Sequence, residues 1–108
     1  MIISDDRLET ALKYLASTDP KIGQLKANLE ELEDHKKIKY AICYCDAVGD
    51  TVADRTQSSY TDQRYIDHID EMATIRIQYE QLRAKRHTQE IIIEVWRTLQ
   101  ANQRRGNI

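Results

Sequence analysis

The residues of this chain that are best suited to metal binding or catalysis are two cysteines and three histidines: Cys43, Cys45, His35, His68 and His87. The cysteines are two residues apart in a predicted helix, so their side chains point to different faces and a disulfide between them is geometrically poor. The histidines are spread over more than fifty residues, and no pair has the spacing of a zinc ligand set. We therefore predict reduced thiols, no metal and no cofactor.

Sequence motifs of enzymes are missing as well. The chain has three glycines and one proline, and none of them belongs to a glycine-rich phosphate loop or to a Gly-x-Ser-x-Gly turn. A thin helical fold also offers little concave surface from which water could be excluded. We predict that the protein is not an enzyme.

Positive charge is concentrated in the last third of the chain. Residues 1–72 carry nine Lys and Arg against fifteen Asp and Glu, whereas residues 73–108 carry seven against three. Phosphate contacts need only Lys and Arg on an accessible face, so this third is a candidate nucleic-acid interface. The candidate contacts are Arg83, Lys85, Arg86, Arg104 and Arg105. The alternative is that these charges only form a solvated helix surface.

The densest apolar segment lies in the same third and consists of Ile91, Ile92, Ile93, Val95, Trp96 and Leu99. Consecutive helical residues point about 100° apart, so this segment covers well over half of the helix circumference. One opposing helix covers a single stripe, and a second partner surface is therefore needed. We predict self-association, with an antiparallel twofold contact between two copies. The alternative to self-association is that Trp96 is a buried structural residue of the monomer. An unidentified protein partner is also expected.

The chain has six tyrosines and no phenylalanine. Four of them are expected to cluster near the tip of the helical hairpin, with their rings packed together and their hydroxyls exposed to solvent: Tyr40, Tyr44, Tyr60 and Tyr65. Stacking on nucleobases is the functional alternative. Packing is favoured, because no basic cluster is expected beside these rings.

Scarce glycine and proline, together with abundant Glu, Gln, Lys, Arg, Leu and Ala, predict an all-α fold without strands. The expected helices span about residues 4–18, 20–48 and 60–104, with a connection at 49–59. Asp19 and Pro20 have the order of an N-cap and a first helical residue, so a helix is expected to begin there. From Tyr60 onward no Gly or Pro interrupts the helix before Gly106.

Residues 49–59 carry the signals of a turn. Gly49 is expected to end the second helix in a left-handed conformation. Thr51 is expected to cap a brief helical turn, and Ser59 to cap the last helix with Asp62 at its third position.

Equal lengths on either side of the connection predict a long antiparallel helical hairpin that forms a single domain. In that pairing Leu12 faces Trp96, Leu29 faces Tyr79 and Ile42 faces Ile66. Ion pairs are expected to join Lys36, Lys37 and Lys39 to Asp67, Asp70 and Glu71 across the hairpin. The alternative is a three-helix bundle in which residues 4–18 fold back at Asp19.

The two ends of the chain resemble a family of small tailed-phage proteins that are described as coil-containing. The resemblance is carried at the start by Arg7-Leu8-Glu9, Ala11-Leu12 and Leu15-Ala16-Ser17-Thr18-Asp19, and at the end by Val95-Trp96-Arg97 and Arg104-Arg105-Gly106-Asn107-Ile108. It extends over most of the chain, but the specific residues lie only at these ends. It implies a phage or prophage origin and a place near recombination genes, and it supplies no active site.

The first residues lack a basic segment followed by an apolar one, and no apolar run is long enough to span a membrane. We therefore expect a cytoplasmic protein that does not contact membranes. The leading hypothesis is a phage-encoded, self-associating helical protein that binds a protein partner in DNA recombination or replication. Sequence-independent DNA or RNA binding through the basic last third is the alternative.

Overall fold

The computed structural model of the protein describes residues 2–106 and contains three helices in that part of the chain, with no strand. Helix α1 spans Asp5–Cys45, helix α2 spans Val52–Thr61 and helix α3 spans Gln63–Gly106. The prediction of an all-α fold is confirmed. The chain divides into two compact units, one formed by residues up to Gly23 and from Glu80 onward, the other by Gln24–Tyr79. In each unit α1 and α3 run antiparallel, as in the predicted hairpin.

Helix α1 continues through Pro20 without a break, so the prediction that one helix ends at residue 18 and another begins at Pro20 is wrong. The three-helix alternative with a fold-back at Asp19 is excluded with it. A proline inside a helix costs about 3 kcal/mol, because its ring removes one hydrogen bond and crowds the preceding turn. Packing along a helix of 41 residues outweighs that local cost.

The segment between α1 and α3 contains a ten-residue helix, where the sequence indicated only a brief turn. The prediction of Thr51 as its cap is confirmed, because the Thr51 hydroxyl accepts a hydrogen bond from the amide of Asp54 at 3.1 Å. Gly49 is not a left-handed cap, since α1 already ends at Cys45 and no residue of the described chain has a positive φ. Gly49 instead permits a close approach: a Cβ there would lie 2.7 Å from the Cβ of Asp54.

Asp62 joins α2 to α3, so the expected start at Tyr60 with Ser59 as cap is wrong. Ser59 is buried inside α2, where its hydroxyl donates to the carbonyl of Arg55. Asp62 accepts hydrogen bonds from the amide and the guanidinium of Arg64, which lower the pKa of the Asp62 carboxyl to about 2. From Gln63 to Gly106 the helix is continuous, as the lack of breakers predicts.

The first unit pairs the start of α1 with the end of α3. Ile3 and Ala11 are its buried apolar residues. The Trp96 indole lies against Asp5, about two helical turns before the residue expected to face it, Leu12, which is 50% exposed. Two arginines also join the helices of this unit: Arg7 donates to Gln89 at 2.9 Å, and Arg86 donates to the carbonyl of Leu15 at 2.8 Å.

The second unit has a small core of Leu25, Cys43 and Met72. Buried His68 contacts the carbonyl of Leu32 through Nε2 at 2.7 Å, and burial raises the pKa of the Cys43 thiol. The predicted tyrosine cluster is confirmed, with ring centroids 5.1–6.3 Å apart among Tyr40, Tyr44, Tyr60 and Tyr65.

The ion pairs of the second unit differ from the predicted ones. Arginines of α3 make the contacts: Arg64 pairs with Asp46, the residue after the end of α1, at 2.9 Å, and Arg76 pairs with Glu33 of α1 at 3.2 Å. Within the described residues, Lys36, Lys37 and Lys39 have no ion-pair partner. The prediction of lysine pairs across the hairpin is therefore wrong. The three lysines remain uncompensated beside the tyrosine cluster.

Candidate interaction surface on helix α3

The apolar segment near the end of α3 has one side that packs inside the first unit. Ile92, Ile93 and Trp96 are half-buried there. The Trp96 Nε1 group donates to Oδ1 of Asp5 at 3.3 Å, which orients the indole against the start of α1. This side of the segment therefore belongs to the fold.

The other side of the same segment is exposed. Ile91 is 49% exposed and Val95 is 37% exposed. They are four residues apart and so lie on one face of the helix. Leu99, one further turn along, is half-buried. The six residues singled out from the sequence thus divide between a packed side and an open side.

A groove of about 550 Å³ lies along this open side. It is lined by His87, Glu90, Ile91, Glu94, Val95, Thr98 and Leu99. Its lining combines aliphatic side chains with two carboxylates, one of which, Glu94, pairs with Arg97 at 2.9 Å. Such a lining holds no nucleophile with an activating base, so its chemistry is that of an apolar contact surface.

The exposed residues on this side follow a regular spacing that we call the α3 seam: Ala84, Thr88, Ile91, Val95, Thr98 and Asn102. Steps of four and three residues alternate along the seam, which is the spacing of a helix that packs against another helix. All six residues are exposed. Sequence reasoning missed the four that are small or polar, because only the two aliphatic members give a hydrophobic signal.

Arg86 is used inside the first unit. Its side chain is only 15% exposed, and its guanidinium donates to the carbonyl of Leu15 at 2.8 Å and to the hydroxyl of Thr18 at 2.6 Å. A third contact joins it to Asp19 at 2.5 Å. Arg86 therefore ties the turn of α1 before Pro20 to α3, which is a structural role, and the expected phosphate contact stays a prediction.

The remaining candidate phosphate contacts on α3 do not form one patch. Arg83 pairs with Glu80 at 3.5 Å. Lys85, Arg104 and Arg105 are exposed and have no ion-pair partner within the described residues. The gap between Lys85 and Arg104 is nineteen residues, or about 28 Å along a helix. Nucleic-acid binding by α3 alone is thus less well supported than the sequence suggested.

Residues 2–106 carry neither a cluster of metal-binding side chains nor a helix suited to crossing a membrane. No group of three or more His, Cys, Asp or Glu side chains in this range is arranged to hold a metal ion. No helix of this range has the length and apolar character that membrane crossing requires.

Comparison with known proteins adds no relative: no family model matches the chain, and neither the curated proteins nor the solved structures contain a significant match. The resemblance to coil-containing phage proteins therefore stays a prediction. Function has to be argued from the surfaces themselves.

Proposed function

We propose that the protein is a self-associating helical interaction protein whose α3 seam packs against the seam of a second copy. The observation that carries the proposal is the exposed pair Ile91 and Val95 at the centre of a regularly spaced face. A role as a phage accessory protein in DNA recombination or replication, with a further protein partner, is part of the proposal. That part rests only on the resemblance of the chain ends.

The energy available at the seam indicates a weak dimer. Complete burial of a large aliphatic side chain contributes about 1.5–3 kcal/mol, so the exposed halves of Ile91 and Val95 contribute about 1 kcal/mol each. Four such side chains in a dimer give about 4 kcal/mol, whereas association costs at least about 4 kcal/mol. The remaining binding free energy must come from contacts along the whole seam, which extends about 27 Å from Ala84 to Asn102. We therefore expect dimers at micromolar concentration.

Charge favours the antiparallel orientation of the two helices. A parallel pairing would place Arg104 and Arg105 of the two copies side by side, where like charges repel. An antiparallel pairing centred between Ile91 and Val95 separates these arginines from their counterparts and sets them opposite residues 81 and 82 of the other copy, between Glu80 and Arg83. Ile91 of each copy then meets Val95 of the other copy, once on each side of the twofold axis.

The test is the mass in solution of the unmodified protein and of the Ile91→Ser/Val95→Ser variant, measured by sedimentation velocity at micromolar concentration. We expect twice the chain mass of 12.7 kDa for the unmodified protein and a single-chain mass for the variant. Circular dichroism should show that the variant remains helical, because both side chains lie on the open side.

A matched control is available on α1. Ile38 and Ile42 are also four residues apart and are 56% and 45% exposed, so Ile38→Ser/Ile42→Ser removes the same chemistry elsewhere. This control should remain dimeric. Dissociation by the control alone would place the interface on α1, and a monomeric unmodified protein would end the proposal.

A further inference from the structure

A second groove lies in the other unit, beside the tyrosine cluster, and we call it the Lys–Tyr groove. Its volume is about 290 Å³, and it is lined by Lys36, Lys37, Tyr40, Tyr60 and Tyr65. All three helices contribute to it: α1 supplies the lysines and Tyr40, α2 supplies Tyr60 and α3 supplies Tyr65. The groove is separate from the α3 seam and uses none of its residues.

Three tyrosine rings form one wall of the groove. Tyr40 and Tyr60 lie 5.1 Å apart between centroids, and Tyr65 meets both rings, edge-on, at 5.9 and 5.6 Å. These contacts fix the orientation of Tyr60 although it is 54% exposed. Tyr60 also borders another groove, of about 380 Å³, on α2. The ring is therefore held in place with open space on two sides.

The charge of the groove is positive and uncompensated. Neither Lys36 nor Lys37 has an ion-pair partner within the described residues, and no lining residue is acidic. The acids nearest in sequence to Tyr65 are otherwise engaged, since Asp62 binds Arg64 and Asp67 accepts from Gln63. The groove therefore combines two unpaired ammonium groups with an accessible aromatic ring. These features suit a ligand that has negative charge and a flat face.

We propose that the Lys–Tyr groove binds single-stranded nucleic acid, with one base stacked on Tyr60 and neighbouring phosphates on Lys36 and Lys37. Single strands combine these two features, because every base has a π-face and every linkage a charge. A duplex buries its base faces in its own stack, so it would use only the lysines. An acidic peptide would also use only the lysines and would leave the ring uncovered.

The test is fluorescence anisotropy with a labelled oligothymidylate of about 15 nucleotides, using the full chain at low and moderate salt. Tyr60→Leu keeps apolar packing against Tyr40 and Tyr65 but removes the aromatic face, and should weaken binding about tenfold. Tyr60→Phe keeps the ring and should bind as the unmodified protein does. Lys36→Gln/Lys37→Gln should weaken binding and flatten the dependence of log K on log salt by about 1.4.

The matched charge control is Lys21→Gln/Lys26→Gln, which removes two exposed lysines of α1 outside the groove. It should bind almost normally, and circular dichroism should show the same helicity in all variants. Equal losses in the two lysine variants would mean diffuse electrostatic attraction and would overturn the proposal. Duplex binding as tight as single-strand binding, displacement by polyglutamate at equal charge, or no binding at low salt would overturn it too.

Discussion

Replacement of Arg86 by methionine tests whether this arginine holds the first unit together or contacts a ligand. Methionine retains most of the apolar stem but cannot donate to Leu15, Thr18 or Asp19. The Asp19 carboxylate is 64% exposed, so its ion pair is worth only about 0–1 kcal/mol. The contacts to Leu15 and Thr18 involve a charged donor that is largely buried, and each contributes about 1.5 kcal/mol, the low end of the range for a charged group.

Neither acceptor becomes a buried unpaired group when Arg86 is removed. The Leu15 carbonyl lies inside α1, and the Thr18 hydroxyl still donates to the carbonyl of Tyr14 at 2.8 Å. The expected loss is therefore about 3–4 kcal/mol, without the additional cost of an orphaned acceptor. In urea, with a slope of about 1–3 kcal/mol/M, the unfolding midpoint should fall by about 1–4 M.

The assay is urea unfolding at one fixed protein concentration, followed by circular dichroism, because dimerisation would add to apparent stability. The matched control is Arg83→Met on the same helix. Arg83 is 66% exposed and within residues 2–106 pairs only with Glu80, so its loss should change stability by less than about 0.5 kcal/mol. Equal unfolding midpoints for the two variants would refute the structural role of Arg86. A loss of nucleic-acid binding with unchanged stability would restore it as a phosphate contact.

Three further predictions follow from the seam, the α2–α3 joint and Pro20. In a cysteine-free background, Ala84→Cys/Asn102→Cys should form an oxidised dimer on gels while Asn102→Cys alone should not; a disulfide-linked dimer of Asn102→Cys alone would mean a parallel pairing. Because the pKa of Asp62 is lowered to about 2, its carboxylate stabilises the fold fully above the ordinary pKa of about 4 and loses that effect as pH falls towards 2. Thermal unfolding between these pH values should therefore be less pH-dependent for Asp62→Asn, and identical profiles would contradict this. Pro20→Ala should raise the melting temperature, through up to about 3 kcal/mol of added helix stability, and a lower value would show that the fold needs the proline.

The long helices could be predicted from sequence, because helix formers extend without interruption from residue 63 to residue 105. The positions at which the helices begin and end could not be predicted in the same way. Asp19-Pro20 has the local form of a helix start, yet α1 continues through it, and Arg86 of α3 holds the turn just before Pro20 through Leu15, Thr18 and Asp19. Asp62 has no breaker beside it, and the break there depends on Arg64, which binds Asp62 and reaches Asp46, the residue after the end of α1.

The candidate surfaces were predictable only in part, for a related reason. The sequence identified the Ile/Trp segment, but which of its residues pack depends on where α1 crosses it. Asn102 and Thr98 carry no hydrophobic signal, so the seam becomes visible only when exposure is known. Lys36 and Tyr60 are far apart in the chain, and it is helix α2 that brings the ring back to the lysines.

The small core of this protein explains why its proposed binding sites are exposed helix faces and shallow grooves and not enclosed pockets. Only seven of the described residues are buried, and two of those are polar. Long helices with so little interior expose most of their side chains, so specificity must come from spacing along a helix and from rings held by their neighbours. The two proposed surfaces would also reinforce each other in binding. A dimer formed through the α3 seam carries two Lys–Tyr grooves. A single-stranded nucleic acid long enough to reach both grooves would bind far more tightly than one that reaches a single groove.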